Sequence, residues 1–115
     1  MAFTVEISVP PSLNNAYRNI PGKGRVKSAD YASWMRDAVQ ILTLLVPDRN
    51  RVPGPVSVSI VLPEKMPGDI DNRVKPILDA LVKSGRIDDD RNVHEIYVRR
   101  LTAFDLARVT VEKAS

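Results

Sequence analysis

The sequence predicts an α+β fold: a single domain over residues 1–115, with a mixed β-sheet of about four strands and two helices packed on one face. Two observations predict it. Several short segments alternate apolar with polar residues, which is typical of half-buried strands, and two longer segments repeat apolar residues every three or four positions, which is typical of amphipathic helices. The elements follow the order β-α-β-α-β-β. The strand–helix–strand passages favour some parallel pairing, and the last two strands are expected to form an antiparallel hairpin.

The first half of the chain supplies one strand and one helix. Residues 3–9 alternate apolar and polar side chains, and the pair Pro10-Pro11 ends this strand because proline has no N–H to donate. Residues 12–27 are rich in asparagine, proline and glycine and are predicted to form a loop. Ser28 is a good N-cap for a helix that Pro47 ends. The apolar stripe of this helix consists of Tyr31, Trp34, Met35, Ala38, Ile41, Leu42 and Leu45.

The second half supplies the remaining elements. Residues 56–62 form the second strand, and a helix over about 72–83 follows, with Gly85 as its stop signal. Strands near 95–101 and 107–112 complete the chain, joined by a short turn.

Composition narrows the possible functions. The chain has no cysteine, which excludes a disulfide framework and a thiolate zinc site, and no apolar run approaches membrane-spanning length. We therefore expect a cytoplasmic protein without a membrane partner. The net charge of +3 is unevenly distributed: residues 69–95 carry seven acidic and five basic residues, so the rest of the chain carries +5. A basic body attracts nucleic acid, although a mildly basic protein without such a partner has the same composition.

Two acidic clusters flank the second helix. Asp69 and Asp71 precede it, Lys75 lies one turn further on, and residues 88–90 are three consecutive aspartates after its end. Carboxylates are the hard oxygen ligands that Mg²⁺ prefers, and a bound Mg²⁺ promotes phosphodiester hydrolysis. A helix of about 12 residues is ~18 Å long. The clusters can therefore meet only if a partner subunit supplies one of them, or if the chain after Gly85 folds back along the helix.

Each of these residues also has a structural interpretation. An isolated Asp-x-Asp pair is more often a capped loop than a metal site, and a run of aspartates is usually a turn. Lys75, one turn past Asp71, either contacts a phosphate or takes part in a solvated i,i+4 ion pair, worth ~0.2–0.5 kcal/mol. Asp79 has Lys75 and Lys83 as possible partners.

The motif as a whole resembles the RusA family of Holliday junction resolvases. The similarity spans nearly the whole chain, with a second, shorter block of matching residues after the first strand. The matching residues are Asp69, Asp71, Asn72, Lys75, Pro76, Asp79, Ala80, Leu81, Gly85, Asp89, Asp90 and Val93, preceded by Pro10, Pro11, Ser12, Asn14, Tyr17 and Arg18. The sequence departs from the family pattern in extending the acidic pair to a triplet with Asp88, and in placing Asn92 where glutamine is usual.

The resemblance implies a magnesium-dependent endonuclease, with Mn²⁺ as a substitute ion. It would act as a homodimer that cuts four-way DNA junctions at symmetric positions during recombination and repair. By position, Asp69, Asp71 and Asp90 match the metal-binding catalytic aspartates, with Asp89 as an alternative to Asp90, and Lys75 matches the essential lysine. The residues expected to contact DNA are Arg18, Lys23, Arg25, Lys27 and Arg73.

Two other functions fit the same residues. A non-catalytic DNA- or RNA-binding module would use the aspartates only as caps and turns. A general metal-dependent nuclease would share the chemistry and lack the preference for junctions.

Overall fold

A four-stranded mixed sheet is the centre of the computed structural model, which describes residues 2–12, 17–22 and 24–115, with the backbone alone described at 17–20 and 24–27. The sheet order is β1-β6-β4-β5. The elements are β1 (Ala2–Ile7), β2 (Tyr17–Ile20), β3 (Gly24–Lys27), α1 (Ala29–Leu45), β4 (Val56–Pro63), α2 (Asp71–Lys83), β5 (Val93–Leu101) and β6 (Ala107–Lys113).

The strand pairing confirms the mixed sheet and corrects one detail. β4 and β5 are parallel and connected through α2, as the strand–helix–strand pattern predicts. The expected hairpin of the last two strands is wrong, because β4 lies between them: β6 pairs antiparallel with β4 on one side and with β1 on the other. The crossover through α2 places β5 next to β4, and β6 then returns along the opposite edge of β4.

A second correction concerns the segment predicted as a loop. The structure contains a separate two-stranded antiparallel ladder there, in which β2 pairs with β3 and Arg18 lies opposite Val26. Four-residue strands are too short to give a clear alternation, so the turn residues dominate the pattern.

Both helices pack on one face of the sheet. Phe3, Val5 and Ile7 alternate with exposed residues along β1, and the same alternation on β6 buries Ala107, Val109 and Val111. The opposite face is polar, with Thr4 and Thr110 hydrogen-bonded at 3.0 Å. None of the helices in the described part of the chain is long and apolar enough to cross a membrane.

The start of α1 matches its prediction. The Ser28 hydroxyl accepts a hydrogen bond from the Tyr31 amide at 3.2 Å, and the indole of Trp34 donates to the carbonyl of Ser8 at 2.8 Å. The stripe is buried at Tyr31, Trp34, Met35, Ala38 and Leu42, whereas Leu45 at its end is 67% exposed.

The ends of α2 position both acidic clusters. The helix begins at Asp71, one residue earlier than predicted, and Ile70 before it supplies no side-chain cap. The entry is tight, since the Arg73 amide donates to the Ile70 carbonyl three residues back. Pro76 inside the helix has no N–H for the carbonyl of Asn72. At the other end Gly85 adopts φ +73, and the amides of Arg86 and Ile87 both donate to the Leu81 carbonyl, which ends the helix and reverses the chain.

The packing of α1 gives a prediction with a matched control on the same helix. Leu42 is 1% exposed and Leu44 is 74% exposed. We expect Leu42→Ala to lower the free energy of unfolding by about 2–5 kcal/mol, because it leaves a cavity, and Leu44→Ala to change it by less than about 0.5 kcal/mol. Urea denaturation of both variants measures this difference. An equal loss at Leu44 would mean that another surface covers that side chain.

Candidate active site

The acidic turn after α2 folds back onto the first half of the helix. Lys75 Nζ lies 2.8 Å from Asp90 Oδ2. Because Lys75 precedes the last residue of the helix, Lys83, by eight positions, the chain returns about 12 Å along the helix axis to make this contact. Of the two arrangements that the sequence left open, folding back is therefore the one that brings the Asp90 turn to α2.

The structure gives the two neighbouring aspartates different surroundings. Asp89 caps a short 3₁₀ turn (Asp90–Asn92), and its side chain accepts a hydrogen bond from the Arg91 amide at 3.0 Å. Asp89 also lies 3.6 Å from the Arg91 side chain. Asp90 faces α2 and contacts Lys75. The cap holds the turn while leaving the Asp90 carboxylate directed toward the helix.

Lys75 and Asp90 stabilise each other's charged forms. The hydrogen bond to Asp90, followed by the one to Asp79, raises the pKa of Lys75 above its ordinary 10.5. The hydrogen bond from Lys75, followed by one involving Asp89, lowers the pKa of Asp90 below its ordinary 3.8. Both groups are therefore fully charged at neutral pH, and the lysine cannot serve as a proton acceptor there.

Asp79 holds the lysine from the other side. Its Oδ1 lies 3.2 Å from Lys75 Nζ, and its Oδ2 lies 3.5 Å from the hydroxyl of Tyr31 on α1. Of the two partners considered for Asp79 from the sequence, Lys75 is in contact. Tyr31 is 1% exposed, so one oxygen of Asp79 is tied to the core and the other to an exposed ammonium group.

Asp69 and Asp71 lie on the exposed surface where the chain enters α2. Asp71 is the first residue of the helix and precedes Lys75 by one turn. Within residues 2–12, 17–22 and 24–115, no group of three acidic or histidine side chains is close enough together to hold a metal ion. The structure therefore does not gather Asp69, Asp71 and Asp90 into one cluster, and Asp90 is paired with Lys75 instead.

Comparison with protein families identifies the chain. The family model described as endodeoxyribonuclease RusA matches residues 7–112 of the 115. The chain belongs to the RusA family. Membership implies a nuclease of the Holliday junction resolvase type, which acts on branched DNA. A comparison with curated proteins gives no match.

Two arginines that sequence analysis did not select hold the acidic turn of this RusA-family chain. Arg86 is 5% exposed and donates to the carbonyl oxygens of Val46 and Ser84 and, at 2.7 Å, to Asp48. Arg51 pairs with Asp88. These contacts fasten the segment before Asp90 to the end of α1. The contacts with Val46, Asp48 and Asp88 join residues 37 to 40 positions apart, which no local pattern reveals.

Arg73 does not lie where a DNA-contacting residue is expected. It is 9% exposed, and its guanidinium donates to the Pro10 carbonyl at 2.5 Å and to the Pro67 carbonyl at 2.8 Å. A sequence signal for this burial exists: Arg73 precedes the buried Ile77 by four positions and Ala80 by seven, so it shares the apolar face of α2.

The other expected DNA contacts fall within residues 17–27, the segment of the β2–β3 ladder. Lys23 lies outside the described residues, and for Arg18, Arg25 and Lys27 the structure gives only their backbone positions in the β2–β3 ladder.

Proposed function

We propose that this protein is a magnesium-dependent endonuclease that resolves four-way DNA junctions by paired, symmetric phosphodiester cleavage in recombination and repair. The observation that carries the proposal is the contact of Lys75 with Asp90. It brings the second acidic cluster to the half of α2 that begins with Asp71, in a chain that matches the RusA model over nearly its full length.

The carboxylates Asp69, Asp71 and Asp90 would hold the divalent ion. Their chemistry fits Mg²⁺, which takes hard oxygen ligands, and Mn²⁺ accepts the same donors. Asp90 already attracts one cation in this place, the ammonium of Lys75. The ion, when bound, would neutralise phosphate oxygens and lower the pKa of a bound water.

Lys75 would stabilise the negative charge that accumulates on the phosphate during cleavage. Its ammonium group is half-exposed, with 48% of the side chain accessible, and its raised pKa keeps it charged. Its ion pair with Asp79, which is not one of the proposed ligands, would keep it in position when the ion and DNA bind, so little reorganisation would be needed in the transition state.

A homodimer would match the symmetry of the substrate. A four-way junction has twofold symmetry, and two paired incisions require two active sites related by a twofold axis. The β2–β3 ladder carries Arg18, Arg25 and Lys27 in its strands, with Lys23 between them in sequence, and these cations would bind the phosphate backbone.

Cleavage of an immobile four-way junction tests the proposal. We expect the purified protein to nick the junction in Mg²⁺ or Mn²⁺, at sites on opposite strands related by symmetry, and to leave a linear duplex of the same arm sequences intact. Labelling each of the four strands in turn and separating the products on denaturing gels locates the cuts. A chelator should abolish cleavage, because the carboxylates would have no ion to hold.

The same experiment separates the alternatives. Junction binding without nicking at any metal concentration would indicate a non-catalytic nucleic-acid-binding module. Equal cleavage of the duplex would indicate a general metal-dependent nuclease.

A further inference from the structure

Two arginines clamp the loop that leads into the Asp69–Asp71 segment. Arg100 on β5 donates to the carbonyl oxygens of Glu64, Met66 and Gly68. Arg73 on α2 donates to the carbonyl of Pro67 in the same loop and to that of Pro10 after β1. The loop of residues 64–68 has no regular structure, so these side chains supply most of the hydrogen bonds that its carbonyl groups need.

This arrangement is costly for a purely structural device. Arg73 is only 9% exposed, so the fold keeps its positive charge largely out of water. The Nε of Arg73 is buried and has no hydrogen-bond partner among the residues that the structure describes. Apolar residues could fill this space without such penalties.

The position of the clamp indicates what it serves. Gly68 ends the clamped loop and immediately precedes Asp69, and a Cβ on Gly68 would lie 3.7 Å from Arg73 Nη2. Arg73 itself follows Asp71 by two residues on the first turns of α2. The clamp therefore fastens the chain on both sides of the two aspartates, to β5 on one side and to the end of β1 on the other.

We propose that Arg73 and Arg100 are positioning residues, which act through the loop of residues 64–68 to place the carboxylates of Asp69 and Asp71 for the divalent ion. This inference rests on the proposed function. The role is geometric, because two positive charges near a cation site repel the cation by Coulomb's law. Arginine suits this role because its planar guanidinium donates to several carbonyl oxygens at once. The compact ammonium group of lysine does not reach the same set of oxygens.

Arg100→Lys and Arg100→Gln test the inference, with Val111→Ala as the control. The first variant keeps the charge and loses the fork, and the second loses both. Val111 is fully buried in the centre of the sheet, so its truncation lowers stability without touching the loop. Arg73→Lys provides a second test from the other side of the clamp.

The first measurement is hydrogen exchange by NMR in protein without DNA. The amides of Glu64 and Met66 donate to Leu101 and Pro63, so both report on how the loop is held. We expect their exchange to be at least about tenfold faster in both Arg100 variants than in Val111→Ala. Unchanged exchange in the Arg100 variants would overturn the inference, whether or not the protein binds metal.

The second measurement is a Mg²⁺ titration of the same proteins, followed by the amide signals of Asp69 and Asp71. We expect about 10–100-fold weaker binding in both Arg100 variants, as for other residues that orient metal ligands, and little change in Val111→Ala. If Arg100→Gln binds Mg²⁺ more tightly than the wild type, charge is the dominant effect and the inference is wrong. If the wild type binds no Mg²⁺, the proposed function fails instead, and the exchange rates alone decide whether the arginines hold the loop.

Discussion

Replacement of Asp71 by asparagine is expected to lower the rate of junction cleavage by at least about 10²–10³-fold, while junction binding stays within about twofold of the wild type. The substitution keeps the size of the side chain and removes the charge that a divalent ion requires. Asp71 is exposed at the first position of α2, so the fold loses only the favourable interaction of a carboxylate with the helix dipole, about 0.3–1 kcal/mol. Removing a negative charge near the phosphate backbone does not weaken DNA binding and can strengthen it.

Single-turnover cleavage of a labelled junction and a gel-shift titration of the same DNA measure the two effects separately. Asp37→Asn is a matched control, since Asp37 is also an exposed aspartate and lies on α1, outside both acidic clusters of the sequence. Cleavage by Asp71→Asn at the wild-type rate would end the assignment of Asp71 as a metal ligand. Loss of junction binding together with cleavage would mean that the carboxylate holds the fold rather than an ion.

The local part of the site could be predicted from the sequence. The apolar residues on one face of α2 predict the helix, and Lys75 and Asp79 lie four residues apart on it. In the structure, Lys75 Nζ lies 3.2 Å from Asp79 Oδ1. The end of α2 at Gly85 could also be predicted. The residue after a helix often adopts the left-handed conformation, and glycine adopts it with the least strain. The family motif indicates Asp69, Asp71 and Asp90 among the acidic residues of the chain.

The rest depends on contacts between distant parts of the chain. The return of Asp90 to Lys75 is held by Arg86 and Arg51. Arg86 bonds to Val46 and Asp48, just after α1, and Arg51 pairs with Asp88 in the acidic turn. The strand order differs from the prediction for a similar reason: neighbours in sequence usually pair, but β6 pairs with the distant strands β4 and β1 rather than with β5. The burial of Arg73 depends on carbonyl partners such as that of Pro10, which become neighbours only after folding.

Replacement of Lys75 by methionine is expected to slow cleavage by about 10²-fold or more, because a fixed positive charge beside the reacting phosphate stabilises the transition state. Methionine keeps most of the length of the side chain without the charge. The effect on metal binding should have the opposite sign. The ammonium of Lys75 is 2.8 Å from Asp90 and competes with any other cation for that carboxylate. Lys75→Met should therefore bind Mg²⁺ at least as tightly as the wild type in the absence of DNA, while cutting more slowly.

Slower cleavage together with unweakened Mg²⁺ binding distinguishes a catalytic lysine from a structural one. A lysine that only organised the aspartates would weaken both metal binding and cleavage when removed. Lys83→Met is the control, since Lys83 lies eight residues further along the same helix and is also exposed. Cleavage kinetics at saturating Mg²⁺ and a Mg²⁺ titration without DNA give the two quantities. Equal cleavage rates for Lys75→Met and Lys83→Met would show that Lys75 has no catalytic role. Its contact with Asp79 would then be an ordinary i,i+4 ion pair on the surface of α2.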